Sequence, residues 1–124
     1  MLDAIIIPGG ESTTISRLLE NAKMLHKRAL NIPIIGTCAG CILLAKEVEN
    51  SDVHTLGLMD IRIWGNCKVL AKLNDKIVAA QQNNLIALAF HPELTNDTRI
   101  HKYSIKLIKN CVRTRVRRIF KLQN

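Results

Sequence analysis

The chain has 124 residues, the length of one small domain. Hydrophobic residues make up 48% and charged residues 23%, which excludes a collagen-like, a disordered or a disulfide-scaffold chain. The net charge of +8 is unevenly placed: residues 1–97 carry nine Lys or Arg against ten acids, and residues 98–124 carry nine Lys or Arg and no acid. The body is therefore neutral and one terminal segment is basic, a pattern that argues against a basic nucleic-acid-binding domain. No apolar run reaches the roughly 18 to 20 residues of a membrane span. Met1-Leu2-Asp3 lacks the positive start of a secretory leader. The four cysteines, Cys38, Cys41, Cys67 and Cys111, have no small-secreted-domain spacing, so reduced thiols in a cytoplasm are expected.

The predicted elements alternate. Ala4-Ile5-Ile6-Ile7 is a short, β-branched apolar run of the kind that is buried in parallel sheets, and Pro8-Gly9-Gly10 stops it. Ser12, Thr13 and Thr14 offer N-cap hydroxyls to a helix with Ile15, Leu18, Leu19 and Ala22 on one face. Pro33-Ile34-Ile35 is a second strand, followed after Gly36 by a helix over about 40–47. Residues 56–64 hold an apolar patch with a strand-like end. Residues 68–73 and 76–80 are strands about an Asn74-Asp75 hairpin turn, and 85–90 is a further apolar strand. A last helix starts at about Arg99, with Ile100, Tyr103, Leu107, Ile108, Cys111, Val112, Val116 and Ile119 on one face. Lys102, Lys106, Lys109, Arg113 and Arg117 occupy another. Strand–helix alternation in the first half predicts an α/β fold with a parallel sheet.

Three local patterns carry chemistry. Gly36-Thr37-Cys38-Ala39-Gly40 places G-x-C-x-G between a strand and a helix, the cysteine form of the sharp turn that exposes a nucleophile. Glycines flank it because such a turn leaves no room for side chains. A helix start facing the sulfur favours thiolate, and the Ala39 N–H would point toward a developing oxyanion. A small buried cysteine at a tight turn is an equally good reading of these letters alone. Cys38-Ala39-Gly40-Cys41 is also a C-x-x-C at a helix start, so a thiol redox protein stays open. No zinc site has the ligand spacing it needs. His91-Pro92-Glu93 stands at a strand end, where the imidazole could serve as a general base oriented by Glu93. Pro8-Gly9-Gly10-Glu11-Ser12 brings backbone N–H groups close to any ligand at that edge.

Taken together, Pro8-Gly9-Gly10-Glu11-Ser12-Thr13, Gly36-Thr37-Cys38-Ala39-Gly40, Leu56-Gly57-Leu58-Met59-Asp60 and His91-Pro92-Glu93-Leu94-Thr95 resemble the class I glutamine amidotransferases. Within them, the likeness is to the glutaminases of pyridoxal 5′-phosphate synthases. The resemblance implies a three-layer, flavodoxin-like α/β fold with a mostly parallel sheet flanked by helices. It implies a partial amidotransferase domain over 1–112, with 113–124 as a basic extension of the last helix. It implies hydrolysis of glutamine to glutamate and ammonia by a catalytic triad of Cys38, His91 and Glu93. Gly10 and Ala39 would form the oxyanion hole, and Gly10, Glu11 and Ser12 would hold the substrate. No metal and no cofactor would take part. The protein partner would be the barrel-shaped synthase subunit, with no nucleic-acid or membrane partner.

Set against that family, the chain is expected to depart in three ways. It lacks the family's N-terminal strand and helix, and it lacks a middle segment between Cys67 and Val69. Where relatives carry an Arg-Asn pair it has Gly65-Asn66, with Arg62 out of register. The isolated chain is therefore expected to be inactive or unstable as a glutaminase, and a synthase-binding remnant without turnover is the competing function. An unpaired sheet edge or a central gap is expected where the first strand is missing.

Overall fold

The structure is a computed structural model that describes residues 2–11, 14, 15, 17, 32–45, 55–59 and 67–122. Its frame is a five-stranded sheet. The strands are β1 (Ile5–Ile7), β2 (Ile34–Thr37), β3 (Lys68–Leu73), β4 (Lys76–Gln82) and β5 (Leu85–Leu88), in the spatial order β1-β2-β5-β4-β3. β1 pairs with β2 and β2 with β5 in parallel, while β4 is antiparallel to both β5 and β3. Four strands thus run one way and only β4 opposes them, as the mostly parallel expectation requires. The sheet is the flavodoxin-like, mostly parallel α/β arrangement expected.

β2 and β5 lie at the centre, and every residue of both is buried. This explains why their sequences are continuous apolar runs rather than alternating ones. β1 is an edge strand: among the described residues nothing pairs with its outer side, and Ile6 is 68% exposed. The expected unpaired position therefore falls at the edge of the sheet and not at its centre.

Two helices are described from end to end. α1 (Ala39–Leu44) follows β2, and α2 (Arg99–Leu122) follows β5 after a 3-10 turn at Pro92–Leu94. One core cluster joins Ile7 and Ile34 to Leu43, Leu44 and Met59; a second joins Ile35, Ala79, Ile86 and Leu88 to Ile100, Tyr103, Leu107 and Ile108 of α2. Full burial of each such side chain contributes about 1.5–3 kcal/mol.

Several boundaries differ from the sequence expectation. α1 stops at Leu44, because Ala45 turns extended and bridges Met59. The N–H groups of Leu56, Leu58 and Met59 bond the carbonyls of Leu43 and Leu44, which satisfies the helix end. β4 runs on to Gln82 and turns through Asn83-Asn84 straight into β5, a second hairpin that the periodicity did not reveal. β5 ends at Leu88, not Phe90, since the chain must bend there to deliver His91. The Asn74-Asp75 turn is as expected: both residues have positive φ, 47° and 63°, which matches the twist of a two-residue hairpin.

Thr14 and Ile15 are helical, and the Thr14 hydroxyl donates to Glu11 rather than capping a backbone N–H. The Glu11 carboxylate accepts from the Thr14 N–H (2.7 Å) and from the Thr14 hydroxyl (2.6 Å). A carboxylate one turn earlier reaches the free N–H more strongly than a hydroxyl does. Ser12, Thr13, Leu18, Leu19 and Ala22 lie outside the described residues, as do 46–54 and 60–66 with Arg62, Gly65 and Asn66.

α2 runs unbroken through residue 113. Its expected apolar face is half-buried from Ile100 to Val112, whereas Val116 is 44% exposed. No helix among the described residues is long and apolar enough to cross a membrane.

Candidate active site

The site is assembled from the C-terminal ends of three neighbouring strands, the edge where parallel α/β sheets place ligands. β2 delivers Cys38. Its backbone sits at φ 50°, ψ −110°, a left-handed conformation that is strained for a residue with a side chain. The Cys38 N–H donates to the Leu88 carbonyl at the end of β5 (2.8 Å), so the strained residue is tied to the adjacent strand.

The flanking glycines have specific reasons. A Cβ on Gly36 would lie 2.4 Å from the Gly40 carbonyl oxygen, and one on Gly40 would lie 2.1 Å from the Ile7 carbonyl oxygen. The first turn of α1 is therefore pressed directly onto β2 and β1. Ala39 is buried at this helix start. Only glycine at both positions lets the helix begin immediately after Cys38.

β5 delivers His91, through the bend at Ala89-Phe90. The 3-10 turn that begins with Pro92 holds it, with the Leu94 N–H donating to the His91 carbonyl (3.2 Å). That turn also brings Glu93 back alongside the imidazole: His91 Nδ1 lies 2.7 Å from Glu93 Oε1. The bond from His91, then the backbone N–H of Glu93 itself, hold the Glu93 carboxyl below the usual carboxylate range. An ionised carboxylate only accepts, so Nδ1 is the donor of this bond and Nε2 is the ring nitrogen left facing away from Glu93.

β1 delivers Gly9 and Gly10. A Cβ built on Gly9 would stand 2.3 Å from His91 Cε1, 3.0 Å from His91 Nε2 and 3.2 Å from Cys38 Cβ. One point beside the Gly9 backbone thus touches the imidazole and the cysteine together. Gly10, with φ 145°, occupies a conformation that side chains rarely adopt. Glu11 follows, with its carboxylate committed to Thr14. Of the residues expected at the site, Cys38 and His91 meet beside Gly9 with Glu93 bonded to the imidazole, Gly10 follows Gly9 with Ile15 as its neighbour, Ala39 is buried at the start of α1, and Ser12 lies outside the described residues.

Sequence reasoning missed Gly9, although the Gly-Gly pair after a strand was its signal. It also missed the Leu88 carbonyl, which no side-chain pattern could reveal. Asn84 is a further support: its side-chain amide donates to the Ile32 carbonyl, and its own carbonyl accepts from the Ile34 N–H, locking the start of β2 to β5.

Chemically, a cysteine on a strand-to-helix elbow, with a carboxylate-held imidazole from the next strand, is the equipment of an α/β thiol enzyme that works on acyl or amide carbon. Comparison with known proteins narrows this class. The sequence profile of the SNO glutamine amidotransferase family matches residues 1–68 and 63–112, and the chain belongs to that family. It is 41% identical to the pyridoxal 5′-phosphate synthase subunit PdxT of Carboxydothermus hydrogenoformans, over 86% of this chain and 78% of the relative. It is 39% identical to the protein of the same name from Brevibacillus brevis, over 87% of this chain and 78% of that one. A crystal structure of a glutamine amidotransferase superposes with a TM-score of 0.80 at 31% identity, covering 87% of this chain and 80% of the other.

The match to the first relative extends over 150 aligned positions, more than this chain has residues. The relative therefore carries residues inside the aligned stretch that have no counterpart here. The profile divides at 63–68, beside the expected missing middle segment, and its match ends at residue 112.

Proposed function

We propose that this chain is the glutaminase subunit of a pyridoxal 5′-phosphate synthase, releasing ammonia from glutamine for vitamin B6 cofactor biosynthesis in the cytoplasm. The observation that carries the reading is the convergence of Gly9, Cys38 and His91 on one point, with Glu93 behind the imidazole. In this reading His91 Nε2 takes the Cys38 proton, and the sulfur attacks the side-chain carboxamide carbon of glutamine. The Gly10 and Ala39 N–H groups receive the oxyanion. His91 then gives its proton to the leaving ammonia, and a thioester remains. Water, deprotonated by His91, attacks the thioester and frees glutamate and Cys38. Glu93 holds the tautomer throughout. Gly10, Glu11 and Ser12 hold the glutamine, the backbone of the Glu11 segment rather than its occupied carboxylate making the contact.

The partner is the barrel-shaped synthase subunit that consumes the ammonia. Because the middle segment of the relatives is missing, turnover depends on that partner, and the isolated chain is slow or inactive. Glutamate release from glutamine, measured with and without the synthase subunit, tests this. Turnover is expected in the complex and is expected to fall by about 10³-fold or more in Cys38→Ala. A stable complex that releases no glutamate would instead assign the chain as a synthase-binding module.

A further inference from the structure

Cys41 takes no part in the reaction proposed above, yet it stands one turn beyond the nucleophile. The Cys41 N–H donates to the Cys38 carbonyl at 3.0 Å, an i to i+3 bond, while the i to i+4 bond from Ile42 to the same carbonyl is longer, at 3.4 Å. The chain thus closes a tight turn from Cys38 to Cys41 as α1 begins. A turn closed by such a bond holds its end Cα atoms within about 7 Å, close to the span of roughly 4.4–6.8 Å that a disulfide bridges. Both thiols are free and partly accessible. Cys41 packs against the core cluster that holds Leu43 and Leu44, so its backbone is well anchored. Burial, and then the proximity of Cys38, push the Cys41 thiol up, which fits a resting thiol held beside the nucleophile.

We infer that Cys38 and Cys41 form a reversible disulfide that closes the glutaminase site under peroxide. The regulatory part rests on the glutaminase reading; the bond itself does not. In the first step the Cys38 thiolate attacks hydrogen peroxide: an S–O bond forms, the O–O bond breaks, and hydroxide leaves. In the second, the Cys41 sulfur attacks the Cys38 sulfenic sulfur: the S–S bond forms, the S–O bond breaks, and the hydroxide departs as water with the Cys41 proton. Two thiols lose two electrons and one peroxide becomes two waters. A dithiol reductant returns both thiols. With its sulfur in the bridge, Cys38 cannot attack a carboxamide, and the strained turn is also spared irreversible oxidation.

Treatment of the full chain with hydrogen peroxide, followed by alkylation and peptide mapping, tests this. The expected result is a fall from four free thiols to two, with a Cys38–Cys41 cross-link that dithiothreitol removes. In the synthase complex, glutamate release should fall at least about tenfold and recover on reduction. Cys41→Ser should keep its basal activity but lose it irreversibly under the same peroxide, with Cys38 carried to sulfinic acid. The inference is overturned by sulfinic acid on wild-type Cys38 with Cys41 still free. It is equally overturned by pairing through Cys67 or Cys111, by four intact thiols, or by identical responses of the wild type and Cys41→Ser. Because the cross-link is read by mass, a chain that forms it but releases no glutamate when reduced overturns the glutaminase reading and not the bridge.

Discussion

The two halves of the sheet are built to different tolerances. On one side, β2 and β5 are buried along their whole length, and α1 is pressed onto β1 and β2 with no room for a Cβ at Gly36 or Gly40. On the other, the β3–β4 hairpin is largely exposed, with Leu73 at 65% and Ile77 at 55%, and its register is irregular around Ala71. The candidate site hangs from the first half. Holding Cys38, His91 and the Gly9 backbone against one another needs rigid, buried supports, whereas an edge hairpin has only to close the sheet. Even the His91–Glu93 pair, which is itself exposed, is carried on a bend anchored by the buried strand β5.

Substitutions can break or sharpen this contrast. The largest effect is expected from Gly40→Val, whose side chain would collide with the Ile7 backbone, an obstacle that cannot rotate away. Urea unfolding should show a loss of about 3 kcal/mol or more. Gly9→Ala is next. Its methyl group would meet a side chain, His91, that can swing into solvent. The fold should therefore survive while glutamate release in the synthase complex drops by about 100-fold, the cost of a misplaced base.

Glu93→Gln should act more gently, by about ten- to a hundredfold in kcat/KM. That is less than the roughly 10⁴-fold loss known for a buried triad carboxylate, because Glu93 is half exposed. Its pH dependence has a definite sign. The folded pKa of Glu93 lies below its ordinary value, so the support it gives His91 is complete above that ordinary value. It is lost as pH falls through the lowered one. An NMR titration should show the His91 ring shifting as Glu93 protonates in this acid range, and no such step in Glu93→Gln. The smallest effect is expected from Leu73→Ser on the hairpin, within about 0.5 kcal/mol by the same urea measurement. A loss from Leu73→Ser comparable to that from Gly40→Val would erase the contrast between the halves.

The basic segment belongs to the same comparison. Arg99 is tied at the helix start by Asp97, which accepts from its backbone N–H and its guanidinium and is held down to about 2 by that pairing. Arg115 reaches back to Asp3 and the Leu2 carbonyl. Between and beyond them, Lys102, Lys106, Lys109, Arg113, Arg117, Arg118 and Lys121 are exposed. The charge excess of residues 98–124 is thus carried on the solvent side of one helix.

Much was legible in the letters because it depends on neighbours along the chain. Ile5-Ile6-Ile7 and Pro33-Ile34-Ile35 announce strands, of which only the second is buried along its length, Asn74-Asp75 announces a hairpin, and three-to-four spacing announces α2. Gly36 and Gly40 around Cys38 announce the elbow, and His91-Pro92-Glu93 announces a paired imidazole, since two residues suffice to close that bond. Other features depend on what lies across space. The end of α1 at Leu44 was set by residues 56–59, and the turn at Asn83-Asn84 by the pairing of β4 with β5. That β1 forms the sheet edge, that Leu88 bonds the Cys38 N–H, and that Gly9 must be bare because His91 and Cys38 crowd it could be decided only by the folded chain. Local sequence specifies which groups can react and how each short segment bends. Which of them meet is a matter of strand order, and strand order is settled by burying the apolar faces of distant segments together.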